Sequence, residues 1–564
     1  MLAEDTGAGV GSLVSVKFHG RTVRGWVLGP ASEAPAAKLL PVQRVRSPVA
    51  FFDDDRLRLL RWVSQRYVTP LCTVIERSHP PRVASEEKEF PEEAGGRFGV
   101  GGGAEAAGPA GHEASLLAAG TTTWLRPLPG DEAGACVRTV NACLAAGRRA
   151  IVLVPEADPV PATAAAVLEA SGERAAWFAG GDERERYRVW LRILGGEVDV
   201  VVGTRPAVFA PVAGLGLVWV SREVHPAHRE ERAPYYHVRD IASARARLEG
   251  AACVLSALSP SVETAWAVRA GSVRAARPPR AAERAAAPLV ETTQPQAEDR
   301  SPRLAALLKA ARTAVLIVSR TGYGVARVCR SCGEPARCAV CGGAIVVDEG
   351  AATCRTCGAT GRCARCGSTR FGVERGGVQR IAEWTAAVAP AVRVEVGTAE
   401  AVKDVGSRAV GLVGLLDPDR ALARPGLHSG EQALAIWMEA SAWAGPRGRG
   451  GRVLAQTRDA GHPAIQALVR WEPVPFLLSE GERRAAAGFA PGRHLFRVSA
   501  PGDEATVAAN LRAVRAEVVL ATAAADLTIC LVAVEPDDSR EFRDGIVRLV
   551  ADGNVRRVEA DPQL

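Results

Sequence analysis

Short, mostly apolar runs separated by longer mixed stretches dominate the middle of this chain. Residues 150–154, 198–202, 217–220 and 253–255 have the composition of parallel strands covered on both faces. Helical patterns over 134–146, 161–171 and 235–247 lie between them, and the alternation predicts a doubly wound α/β unit. A second such unit opens with a helix over 304–312 and a strand over 314–319. It resumes with strands at 392–396, 410–416 and 453–456. Between the two units, the Pro- and Ala-rich stretch 278–299 reads as a connection. Upstream, strand-like runs at 13–18 and 25–28 precede a helical pattern over 54–67. Downstream, strands at 494–498, 517–520 and 527–534 alternate with helices in a small α+β domain. Residues 83–120 are rich in Gly, Ala and Glu, with acidic clusters at Glu86, Glu87, Glu89, Glu92 and Glu93. Such a stretch buries too little apolar area to offset the entropy of ordering, and it reads as a flexible acidic linker.

Composition narrows the class. At 564 residues, with 47% hydrophobic and 24% charged positions, the chain is a multidomain globular protein rather than a small stapled module. Apolar runs stop short of the roughly 18 residues that span a bilayer, and the opening Met-Leu-Ala-Glu-Asp has no basic stretch followed by an apolar one. A cytoplasmic protein, with no membrane contact, is expected. The net charge of +7 is mild, so its distribution carries the information. Residues 1–82 hold twelve Lys or Arg against seven Asp or Glu, and residues 319–380 hold ten arginines against four acids. Only Lys17, Lys38, Lys88, Lys309 and Lys403 are lysines; the other 65 basic positions are arginine. Coding bias accounts for the majority, and the scarcity makes any lysine-dependent motif easy to test.

Eight of the thirteen cysteines fall within 38 residues, as four Cys-x-x-Cys pairs: Cys329 and Cys332, Cys338 and Cys341, Cys354 and Cys357, Cys363 and Cys366. A Cys-x-x-Cys turn presents two sulfurs to one ion, and a structural zinc takes four, so eight ligands imply two ions. Glycine follows the second cysteine of each pair, where a left-handed turn is common. Spacing alone points strongly to metal and less strongly to the pairing. A nested arrangement fits a hairpin between Cys341 and Cys354. With four thiolates on each ion no position stays open for water, so the metal is expected to be structural rather than catalytic. A basic, zinc-tied protrusion suits contact with nucleic acid or a protein partner.

Two doubly wound units in tandem suggest a nucleic-acid translocase with its nucleotide between the lobes. Its phosphate cradle requires Gly-x-x-x-x-Gly-Lys-Ser/Thr. None of the five lysines follows a glycine or precedes Ser or Thr. Where the cradle is expected the chain reads Arg126-Pro-Leu-Pro-Gly-Asp-Glu-Ala-Gly-Ala135, and Asp131 and Glu132 would repel phosphates.

The order and wording of several segments nevertheless resemble the primosomal protein N-prime (PriA) family. These are residues 147–156, Val201-Val-Gly-Thr-Arg-Pro-Ala-Val-Phe-Ala-Pro211, Tyr236-His-Val-Arg-Asp240, Arg320-Thr-Gly-Tyr323 leading into the cysteine pairs, Cys366-Gly-Ser-Thr369 and Leu415-Leu-Asp-Pro-Asp419. The resemblance implies two tandem RecA-like lobes, 121–285 and 286–472, the second carrying a double zinc-knuckle insertion over 329–366. It implies a β-rich DNA-binding domain over 1–82 that lacks the family's opening strand, the linker 83–120 in place of a winged helix, and an α+β domain over 473–564. It assigns one zinc to Cys329, Cys332, Cys363 and Cys366 and the other to Cys338, Cys341, Cys354 and Cys357. Lys38, Thr204 and Arg205 match positions that contact DNA, and Trp62 and Tyr67 read as core rather than as stacking platforms. Implied partners are forked and single-stranded DNA, the replicative helicase or its loader, and single-stranded DNA-binding protein, on the nucleoid.

The departures concern the motor. The family's Asp-Glu-x-His box appears as Arg222-Glu-Val-His225, with a cation in place of the metal-holding aspartate, and Glu223 reads as a surface acid. The arginine-finger motif is blurred into Ala442-Trp-Ala-Gly-Pro-Arg-Gly-Arg449. ATP hydrolysis is therefore not expected, no residue is assigned as catalytic, and ATP binding without turnover stays open. The sequence leads to a fork-binding restart protein without helicase activity. An active 3′ to 5′ helicase with an unconventional nucleotide site, or a scaffold that has left DNA, remain its alternatives.

Overall fold

A computed structural model describes residues 7–30, 41–89, 112–295, 301–318, 327–332, 336–343, 345–348, 351–373, 377–403, 410–524 and 526–562. At the N-terminal end, β1 (Ser12–Phe18) lies between β2 (Arg21–Trp26) and β3 (Val42–Ala50) in an antiparallel sheet. The helix Asp54–Arg66 follows. Asp53 caps it by accepting from the Arg56 amide, Asp54 and Asp55 fill its first turn, and Leu57, Leu59, Leu60 and Val63 turn inward. Tyr67 is buried and meets the half-buried Trp62 edge-on, where Trp62 packs against the same core.

The first lobe is a seven-stranded, all-parallel sheet made of β4 (Thr122–Leu125), β5 (Arg149–Leu153), β6 (Ala175–Phe178), β7 (Val200–Gly203), β8 (Leu215–Val220), β9 (Ala252–Ser256) and β10 (Arg274–Ala276). Their order is β10-β4-β9-β8-β5-β7-β6. The central strands are buried along nearly their whole length, as continuous Val, Ile and Leu runs require when helices cover both faces.

The second lobe is a five-stranded parallel sheet of order β11-β19-β18-β12-β17, in which β11 is Leu289–Thr293, β12 Thr313–Val318, β17 Arg393–Thr398, β18 Leu412–Leu415 and β19 Arg452–Gln456. Between β12 and β17 the chain leaves the sheet as a small arm of two antiparallel ribbons. One pairs β13 (Arg327–Cys329) with β16 (Phe371–Val373), the other β14 (Ile345–Asp348) with β15 (Ala351–Cys354). The C-terminal sheet is antiparallel, of order β21-β22-β20-β23, with β20 His494–Pro501, β21 Glu517–Ala524, β22 Leu527–Val534 and β23 Arg557–Ala560.

Three stretches differ from the sequence reading. Residues 278–299, expected as a connection, contain the helix Arg280–Ala286 and β11, the edge of the second sheet. The helix Val474–Ala486, expected with the C-terminal domain, inserts Phe476 and Leu477 into the second lobe's core. The acidic segment expected as a flexible linker is docked at its start. Glu86 pairs with Arg184 and Arg188, and the Glu87 carboxylate is buried, accepting from Ser47, Arg82 and Tyr187. Its other end forms the short helix His112–Leu116, with Leu116 in the first lobe's core. The remainder, 90–111, lies outside the described residues.

Candidate functional site

In the arm, the four Cys-x-x-Cys turns bring their sulfurs into two sets. Sγ atoms of Cys329, Cys332, Cys363 and Cys366 lie within 4.8 Å of one another, as do those of Cys338, Cys341, Cys354 and Cys357. Contacts across the pairs are 3.5 Å for Cys329 to Cys366, 3.6 Å for Cys332 to Cys363, 3.8 Å for Cys338 to Cys357 and 3.4 Å for Cys341 to Cys354. A tetrahedron with a metal–sulfur bond of about 2.3 Å has sulfurs about 3.8 Å apart, so each set has the size of a four-thiolate zinc site. The turns are built for it. Gly342, Gly358 and Gly367 take φ near +70°, and the amides of Val340 and Thr356 donate to the Cys338 and Cys354 sulfurs. Burial opposes the Cys329 thiolate, yet the amides of Ser331 and Cys332 and the neighbouring thiols bring its pKa down to about 6. The amides of Cys357 and Thr356 do the same for Cys354. For Cys341 the Gly343 amide favours the thiolate, but the thiols of Cys357, Cys354 and Cys338 outweigh it and push the group up to about 12, so the sulfurs of the second set differ; deprotonated sulfur is the form that binds metal. The sets adjoin, because Cys338 and Cys363 pair backbone to backbone between them.

The second site lies between the lobes, beyond the C-terminal ends of β4 and β8, where a nucleotide sits in a motor of this architecture. The helix Glu132–Ala145 begins with Asp131, which pairs with Arg138, and Glu132, which accepts from the Ser221 hydroxyl at 2.8 Å. Carboxylates thus occupy the helix N-terminus that would otherwise attract phosphate. The cavity bounded by Pro127, Leu128, Glu132, Lys403, Glu439 and Trp443 measures about 60 Å³. Small-molecule pockets run to several hundred cubic ångströms (about 300 or more).

Arg222 stands where the PriA pattern has an aspartate. Only 4% exposed, with φ +50°, it donates from Nη2 to the Val402 carbonyl of the second lobe at 3.0 Å and lies 3.9 Å from the Glu439 carboxylate. Glu223, expected on the surface, is fully buried. It accepts from Arg239 at 3.1 Å and from the Ser261 amide at 2.7 Å, so it serves as a structural acceptor. Burial, with Arg222, His228 and Lys403 nearby, lowers the His225 pKa to about 3, and that imidazole is neutral at physiological pH.

A family model of the PriA 3′ DNA-binding domain matches residues 2–80. A relative in Mycobacterium tuberculosis, "Probable replication restart protein PriA", is 34% identical over 558 residues, spanning 90% of this chain and 84% of the relative. The chain belongs to the PriA family. "Replication restart protein PriA" of Treponema pallidum is 26% identical and covers 86% of this chain and 82% of its own length.

Of the positions that match the PriA pattern, Thr204 follows β7 directly and starts the turn Arg205–Phe209. The Arg205 guanidinium folds back onto its own lobe, donating to the Ala227 carbonyl at 2.8 Å and lying 3.6 Å from Glu230. Lys38 and the segment 320–323 lie outside the described residues. Sequence reasoning missed Arg126, 1% exposed, which donates to the carbonyls of Leu258 and Trp471 and pairs with Glu283. Its signal was present: a lone arginine directly after the opening strand, where a glycine-rich loop was sought.

Proposed function

We propose that this chain binds stalled or abandoned replication forks and promotes reloading of the replicative helicase without turning over ATP. The observation that carries the second half is Arg222. Among the described residues, a guanidinium held between the lobes beside a cavity of about 60 Å³ speaks against a seat for magnesium and for the phosphates it would bridge. The first half rests on membership of the PriA family and on the match of residues 2–80 to a 3′ DNA-binding domain.

In this reading the chain has a fork-recognising unit over 1–82, two RecA-like lobes and a C-terminal α+β domain. Lys38, Thr204 and Arg205 are its proposed DNA contacts. Forked and single-stranded DNA are its ligands, and the helicase or its loader and single-stranded DNA-binding protein are its protein partners, in the cytoplasm on the nucleoid. Cys329, Cys332, Cys363 and Cys366 hold one zinc, and Cys338, Cys341, Cys354 and Cys357 the second. The ions tie the arm's ribbons together, and four thiolates on each leave no position for a reacting water.

The deciding experiment measures fork binding and phosphate release on one preparation. Tight fork binding that weakens as salt rises, with no fork-stimulated ATP hydrolysis, is the expected result. Turnover of ~1 per second or faster that depends on the fork would restore the helicase reading.

A further inference from the structure

We propose that two buried arginines staple the lobes together across the former nucleotide site, so that the chain presents DNA with one fixed lobe arrangement instead of a cycling pair. The proposal deepens the reading above and rests on it.

Both arginines leave the C-terminal ends of first-lobe strands and end on main-chain carbonyls of the second lobe. Arg126, immediately after β4, donates from Nη2 to Trp471 at 3.0 Å while Nε holds the first-lobe carbonyl of Leu258 at 3.0 Å. Arg222, just after β8, reaches Val402 at 3.0 Å. Neither exceeds 4% exposure. Burial draws the Arg126 pKa down to about 10, which leaves it cationic at neutral pH. Two further bonds cross the same seam. Lys403 of the second lobe donates to the Asp158 carbonyl at 3.0 Å and lies 3.8 Å from Glu156, and the Val262 amide donates to the buried Glu431 carboxylate at 2.7 Å.

In a motor, the groups that close this cleft are phosphates and a metal, which arrive and leave. A two-state equilibrium is driven only by a ligand that binds the two states differently. Here the closing groups are covalent parts of the chain, present at every moment, so nucleotide binding and release no longer bias open against closed. Motion between the lobes then costs the staples directly and is not fuelled.

Hydrogen exchange on the full-length protein tests this through the peptides that flank the seam, 127–133 and 396–403. Millimolar ATP with Mg²⁺ should leave wild-type exchange there unchanged. Arg222→Ala should raise it about tenfold by permitting local opening, while β5 and β7 exchange as before. Among the described residues the Arg222 Nε and Nη1 atoms have no hydrogen-bond acceptor, and its ion-pair partner Glu439 is partly exposed, so the substitution strands no fully buried charge. Should that variant unfold, Arg222→Leu, which fills most of the same volume without a donor for the Val402 carbonyl, carries the same comparison. Protection of 127–133 by ATP in the wild type, or variant exchange identical to wild type, would overturn the staple. An unchanged seam in a protein that fails to bind forks would instead sink the functional reading and leave the staple standing.

Discussion

The Tyr187 hydroxyl donates to the Glu87 carboxylate across 2.6 Å of space and 100 residues of chain. The same carboxylate accepts from the Ser47 hydroxyl at 2.9 Å and from Arg82 Nε at 2.7 Å. One buried acid therefore joins β3 of the DNA-binding domain to the helix Glu183–Leu194 of the first lobe. Around it Phe51 stacks on Trp190 at 5.5 Å, and burial together with the carboxylate drives the Tyr187 phenol well above its ordinary pKa. The domain matched as DNA-binding is thus welded to the motor-like framework.

Removing that acid should loosen the weld. Glu87→Ala leaves a hydroxyl, a phenol and a guanidinium without their acceptor, and uncompensated buried donors cost about 1–3 kcal/mol each, with strong non-additivity. The expected loss is on the order of 3 kcal/mol, read as a lower urea midpoint. Tyr187→Phe deletes one donor and should cost about 1 kcal/mol. A Glu87→Ala protein with wild-type midpoint would show that the junction carries no stability.

How far the sequence reached depended on whether the partners of a residue were near it in the chain. The cysteine sets were legible because each Cys-x-x-Cys turn is local and four thiolates define the chemistry. The parallel strands were legible because two-sided burial imposes apolar runs. Glu87 was not, since its run of acids looks like a solvated segment while its partners are 40 and 100 residues away. Glu223 was misread for the same reason, as Arg239 and the Ser261 amide reach it only in the folded chain. β11 hid among prolines and alanines because an edge strand needs few buried side chains, here Val290 alone. The missing phosphate-loop pattern could be read as an absence; two arginines bound to distant carbonyls of the other lobe could not.

The metal sites should separate cleanly. Cys363→Ser removes one ligand from the first set and leaves the second set of four intact, so zinc content should fall from about two per chain to about one. Elemental analysis under reducing conditions checks this. Values near zero for the wild type would refute the sites, and equal loss from both would mean that the adjoining sets bind as one unit.

Gly481 marks where the helix Val474–Ala486 meets the first lobe. A Cβ there would lie 2.8 Å from Cε3 of Trp266 and 3.2 Å from Val262 Cγ1, and the Trp266 ring is itself covered by Arg269 at 3.9 Å. Alanine improves helix propensity by about 1 kcal/mol, but overpacking the half-buried Trp266 ring costs about 1–3 kcal/mol. Gly481→Ala should therefore lower the thermal midpoint. Gly448→Ala, with open space around its Cβ, should leave it nearly unmoved. An unchanged midpoint for Gly481→Ala would mean that this helix slides freely on the lobe.

Acid should weaken the first lobe through His228. Fully buried, it uses Nε2 to donate to the Ser221 carbonyl at 2.8 Å, and burial lowers its pKa from 6.5 to about 4. A histidine held neutral in the fold binds its proton more readily when unfolded. Its contribution is therefore complete above pH 6.5, declines as pH falls below that value, and is lost by about pH 4. At pH 5 the difference from pH 7 amounts to roughly 2 kcal/mol, an order-of-magnitude figure at 1.36 kcal/mol per pH unit. Urea midpoints at pH 7 and pH 5 measure it. His228→Gln, which keeps a donor for Ser221 and cannot titrate, should show a shallower decline over that interval than the wild type, even if it is less stable at both ends. Parallel pH profiles for the two proteins would place the acid sensitivity elsewhere.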